Sequence, residues 1–247
     1  MPPNQSIWSI EAKMETKQTS SISVPWTAQD VWAGVVLLVL MILDMRVISY
    51  ISRWVHIKIS ADALILIEFC VQELFILLPV GLFALHKYRV DLQGLGLRKF
   101  TRGSMGLGCG LMILLYTVII GYSMLLAHFH LQVQNSISPL LAKLTNPWPF
   151  MIGGAFVAPF VEEVFFRGFV FAGLSSRYGW KISAGISSLL FAAAHLELTF
   201  LLPAFLFGYL FAYMYKRSNS IWPGIILHMC FNVLGMTALF LTRTGHI

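Results

Sequence analysis

Residues 156–168 read FVAPFVEEVFFRG, two adjacent acids and an arginine set in an otherwise apolar run. Glu162, Glu163 and Arg167 would be costly in a soluble core and costlier in a bilayer unless they are paired or face a polar cavity. Their setting is therefore the first thing to establish. The 247-residue chain is 57% hydrophobic and only 11% charged, with a mean hydropathy of +0.76. A soluble domain carries about 25% charged residues, so this composition predicts a membrane protein.

A spanning helix needs about 20 mostly apolar residues. Seven segments qualify, at 30–51, 62–85, 104–127, 148–173, 182–197, 198–215 and 222–242. The predicted fold is an all-α, polytopic transmembrane bundle of about seven spans around an intramembrane polar cavity. Residues 1–29 form a polar tail without the apolar core and cleavage site of a signal peptide, and residues 30–247 form the transmembrane domain. Loop Lys and Arg number eleven on the N-terminal side against five opposite, which predicts a cytoplasmic N-terminus. Trp26, Trp54, Trp148, Trp180 and Trp222 fall near predicted span ends, as an interfacial belt requires. The net charge of +6 suits basic loops on anionic lipid, and no basic–aromatic cluster points to nucleic acid. Cys70, Cys109 and Cys230 lie in apolar runs without ligand-like spacing.

Three ionisable clusters fall late in the chain. Glu163 and Arg167 are four apart and share a helix face, whereas Glu162 points about 100° away. The stretch FAAAH brings His195, and HMCFN sets His228 and Asn232 four apart on one face. Taken singly, each has a structural reading as an ion-pair knot, a satisfied core histidine or an interhelical hydrogen bond. Counted along the helices from the cytoplasmic end, Glu162, His195 and His228 lie about 15, 20 and 9 Å deep. They can converge in one cavity entered from that side. A carboxylate there can act as general base toward water, a histidine can position the water, and an amide and second imidazole can stabilise an oxyanion. No serine or cysteine is placed as an obvious nucleophile.

The ordered set EEVFFR, FAAAH and HMCFN resembles the EExxxR, FxxxH and HxxxN motifs of the CPBP (ABI) family of intramembrane proteases, which includes type II CAAX prenyl endopeptidases. LQGLGLR at 92–98 resembles the basic linker preceding that family's core, and the likeness covers about residues 90–240. It implies an intramembrane endopeptidase in which Glu162 activates water with His195 as partner. It further implies that His228 and Asn232 stabilise the oxyanion and that Glu163 and Arg167 support the site. Its members have been described as zinc proteases, and zinc would use Glu162, His195 and His228; lacking HExxH, this chain is expected to need no cofactor. The implied partners are membrane lipid and a peptide or protein substrate, lipidated or membrane-anchored ones included. The implied location is a bacterial plasma membrane. The alternative is a non-enzymatic transporter or partner-binding scaffold using the same cavity, although no inverted repeat supports it.

Two further features carry expectations. Glu68, Gln72 and Glu73 in the second span are expected to serve interhelical contacts, with lining of the cavity as the alternative. The GxxxG spacing of Gly106 and Gly110 is expected to mark close helix packing.

Overall fold

A computed structural model describes the backbone of residues 22–54, 59–133 and 137–245, with side chains throughout these except 42–54. Helix α1 is Ala28–Trp54 and α2 is Ala61–His86, whose last turns, Gly81–His86, are wide. Helix α3 is Arg102–His128 and α4 the short Ile137–Lys143. A continuous stretch, Trp148–Ala194, is broken at Gly179 (φ 71°, ψ 160°) into α5, 148–178, and α6, 180–194. Helices α7, Leu201–Ser218, and α8, Trp222–Arg243, complete the bundle. Five apolar stretches are long enough to cross a membrane: Ala61–His86, Arg102–His128, Trp148–Ala194, Leu198–Ser218 and Trp222–Arg243. The chain is an all-helical integral membrane protein with no strand among the described residues.

Local chemistry explains the boundaries. Ser60 and Thr101 accept from the backbone N–H groups of Ala63 and Ser104, capping α2 and α3. The expected fourth span runs on past 173 because nothing stops it before Gly179, where a left-handed φ favours glycine. There the chain reverses, and α6 returns along α5 so that the Ser187 hydroxyl donates to the Phe166 carbonyl at 2.6 Å. The expected fifth span ends earlier than predicted, at Ala194, with His195 as its cap. The sixth starts after a tight 3-10 turn at Leu198–Phe200.

Each end of the bundle is stitched. At one, the Ile221 N–H donates to Gly96 O, the Ser220 hydroxyl to Arg98 O, and the Lys87 ammonium and Tyr88 hydroxyl both to Asp30. That bond raises the Lys87 ammonium above its ordinary range. At the other, Asp62 accepts from the Thr145 and Asn146 N–H groups, and Arg243 donates to Leu144 O.

Two expectations change here. Trp26 is not interfacial: it is 1% exposed, stacks on Phe169 and donates Nε1–H to the Phe169 carbonyl at 2.9 Å. Trp148 is exposed at its helix end. Gly106 and Gly110 face open space, and Gly108 between them makes the close approach instead, where an added Cβ would lie 2.8 Å from Leu227. The first 21 residues of the predicted tail, Lys58, and the side chains of Arg46, Arg53 and Trp54 lie outside the described residues.

Helices α6 and α7 cross closely at Gly208, where a Cβ would meet Arg167 Nη2 at 2.9 Å and the Ser188 backbone at 3.1 Å. Gly208→Val should therefore lower stability by about 1–3 kcal/mol or prevent folding. Gly106→Ala should leave it unchanged. Thermal unfolding of both variants in detergent checks the contrast, and equal effects would contradict this crossing.

Candidate active site

The site grows out of irregularities in α5. Residues Gly153–Val157 and Val164–Phe171 form wide turns with i→i−5 hydrogen bonds, the first closed by Ala158 N–H on Gly153 O. Continuing that pattern, the Gly154 carbonyl would need an N–H at position 159, which is proline and has none. Asn232 on α8 supplies the missing donor, Nδ2 to Gly154 O at 2.8 Å. The second wide segment is tapped from outside as well, by Ser187 at Phe166 O and by Trp26 at Phe169 O. Neighbouring helices thus read the carbonyls of α5 and fix its rotation.

That rotation places the acidic pair. Glu163 and Arg167 are both wholly buried, with Arg167 Nη1 2.8 Å from Glu163 Oε1. No guanidinium N–H meets an aligned hydrogen-bond acceptor among the described residues, so the attraction is ionic rather than a directed bond. Aromatic faces complete the arginine's surroundings: its Cζ lies 4.5 Å from the Phe191 ring centre, 5.4 Å from Phe211 and 5.9 Å from Phe166. Gly224 leaves room for the other Glu163 oxygen, which a Cβ would approach to 3.1 Å.

His228 joins the two glutamates. Its Nδ1 is 3.3 Å from Glu163 Oε1, and its Nε2 is 3.6 Å from Glu162 Oε2. Because the Glu163 oxygen accepts, Nδ1 carries a proton, and Nε2 is the atom turned toward Glu162. Phe211 stacks on the imidazole at 5.1 Å, and Phe191 meets it edge-on at 5.7 Å. Glu162 itself is half-buried. His195, half-buried at the end of α6, donates Nδ1–H to the Phe191 carbonyl at 2.9 Å, which leaves Nε2 available.

Glu162, His195, His228 and Asn232 all line one cavity of about 770 Å³. Its lining continues through Ile65, Ile137, Leu140 and Leu239, toward the end of the bundle opposite the basic turns around Lys87, Arg98 and Lys216. Access from the basic end, expected from the sequence, is therefore not what the lining describes. Two positional expectations also shift. Glu162 lies about 25 Å from the Gly179 turn, not 15 Å, because α5 extends past the predicted span end. The imidazole in contact with Glu162 is His228, and no ion-pair contact joins Glu162 to His195 among the described residues. Glu68, Gln72 and Glu73 line the cavity, the alternative to the interhelical role preferred for them. Among the described residues, no three His, Cys, Asp or Glu side chains are grouped so as to hold a metal ion.

The family described as type II CAAX prenyl endopeptidase, Rce1-like, matches residues 144–234, which contain all six of these motif residues. Over these residues the chain is similar to that family. A candidate membrane peptidase of Bacillus subtilis (strain 168), YdiL, is 28% identical over 142 residues, covering 55% of this chain and 58% of the relative. The UPF0177 protein YxdF of Lactococcus lactis subsp. lactis (strain IL1403) is 29% identical over 89 residues, 36% of this chain and 49% of the relative. An uncharacterized 24.3 kDa protein of Escherichia coli is 38% identical over 85 residues, 32% of this chain and 39% of the relative. The chain thus spans about half the length of the curated relatives it matches. No solved structure matches. The Rce1-like region begins just before α5 and ends within α8, so it holds the wide turns as well as the acidic pair.

Asn232 has one amide N–H committed to Gly154. Asn232→Leu should therefore orphan a buried carbonyl and cost about 1–3 kcal/mol of stability. Denaturant or thermal unfolding in detergent checks this; a variant as stable as the parent would show that the amide does not hold α5.

Proposed function

We propose that the protein is an intramembrane endopeptidase that hydrolyses a peptide bond with water activated by Glu162. The observation carrying this reading is the division of labour between adjacent acids: Glu163 is taken up by Arg167 and His228, while Glu162 reaches the cavity. Glu162 takes a proton from water as the water oxygen attacks the carbonyl carbon. The tetrahedral oxyanion accepts hydrogen bonds from the Asn232 N–H not used by Gly154 and from His228 Nε2–H, which requires the imidazole to carry a proton on both nitrogens. The C–N bond then breaks, and the proton held by Glu162 passes to the leaving nitrogen. His195, with Nδ1 fixed on Phe191 O, presents Nε2 to orient the water across the cavity.

This mechanism assigns no step to a metal. The Rce1-like match and the candidate peptidase YdiL support the reaction class. The bacterial relatives support a plasma-membrane setting, and the loop charges a cytoplasmic N-terminus. Membrane peptides and proteins, lipidated ones included, are the substrates this reading assigns.

Reconstituted protein and a membrane-peptide library, with products read by mass spectrometry, provide the test. Glu162→Gln should reduce cleavage by at least about 100-fold while leaving thermal unfolding unchanged. Cleavage by verified metal-free protein should withstand chelator. Wild-type rates in Glu162→Gln would refute the mechanism, and loss of activity restored by zinc would refute its metal-free form.

A further inference from the structure

The cavity holds a carboxylate that none of the three motifs contains. Glu73, on α2, is 5% exposed and lines the cavity together with Glu162. Its Oε2 is buried and has no hydrogen-bond partner among the described residues. Glu68 and Glu197 also line the cavity, and among the described residues no Lys or Arg does. An orphaned carboxylate oxygen at membrane depth is costly, and the cost is recovered when something supplies a donor. A neutral amide would supply the hydrogen bond alone; an ammonium or guanidinium would supply a charge-assisted one. Around Glu73, Phe69, Ile76 and Leu38 offer apolar wall against which a long aliphatic stem can lie.

We propose that Glu73 is a specificity-determining residue that receives a Lys or Arg side chain of the substrate peptide, so that the cavity selects apolar segments carrying one basic residue. This rests on the endopeptidase reading and adds the substrate's charge to it. The stem lies along the apolar wall while the cationic head meets the Glu73 carboxyl group. An acidic residue at the same position would face Glu73 and Glu162 together and be rejected.

Three dye-labelled apolar peptides, identical except for a central Lys, norleucine or Glu, test this. Binding is measured by fluorescence anisotropy on protein in nanodiscs of zwitterionic lipid, which removes attraction to lipid charge. The same samples are analysed for cleavage products. The Lys peptide should bind about tenfold more tightly than the norleucine peptide, and the Glu peptide more weakly than both. Glu73→Gln should shrink the Lys advantage over norleucine to about twofold or less. Equal binding of Lys and norleucine peptides to wild-type protein would overturn the proposal, as would a Lys preference surviving in folded Glu73→Gln. Should that variant not be monodisperse, the wild-type ratio decides alone: preference sustains the proposal and parity overturns it. Cleavage without Lys preference defeats this proposal only. Lys preference without any product defeats the endopeptidase reading and leaves the cation pocket standing.

Discussion

The Glu163–Arg167 ion pair is the constraint on which the rest of this structure depends. Two wholly buried charges 2.8 Å apart each lose several kcal/mol of hydration, and only a close, well-enclosed partner offsets that loss. The enclosure dictates much of the sequence around it. Phe166, Phe191 and Phe211 offer ring faces to the guanidinium, and Gly208 and Gly224 leave space that any side chain would take. Because Glu163 also meets His228 Nδ1, the pair fixes the imidazole whose other nitrogen faces Glu162. A structural ion pair and the reactive carboxylate of the proposed mechanism are therefore linked through one ring.

The wide turns of α5 serve the same end. A regular helix carrying Pro159 would leave a carbonyl without a donor on its inner face. Here Asn232 fills that place, while Ser187 and Trp26 bond two further carbonyls of the same helix. Three elements distant in sequence are thus registered against α5, which lets side chains from α5, α6 and α8 meet in one cavity. The hydrogen bonds that determine this register also determine the site's geometry.

Much of this was legible in the sequence because helical spacing is a strong signal. The i, i+4 separation of Glu163 and Arg167 predicts their pairing, and the 100° offset of Glu162 predicts its separate environment. The apolar runs locate the helices to within a few residues at most ends. What escaped was tertiary. The His228 contact with both glutamates depends on how far α8 is rotated, which its own sequence does not state. Glu73 read more readily as an interhelical group than as a cavity-lining one because no motif connects α2 to α5. The GxxxG rule misplaced the close approach by two residues, since which glycine faces Leu227 depends on the neighbour. Trp26 read as interfacial because a tryptophan beside a span is ordinarily so, and its pocket against Gly173 exists only after α5 packs. Gly179 carried a usable signal, a glycine between two apolar segments, and it marks the reversal.

The most direct test of the account is a double-mutant cycle on Glu163→Gln and Arg167→Met, measuring unfolding free energy in detergent. Each single change leaves one buried charge without its partner and should cost about 3–5 kcal/mol. The double change removes both charges and should cost clearly less than the sum, with a coupling of about 2 kcal/mol or more. Additive losses would contradict the claim that this pair organises the site.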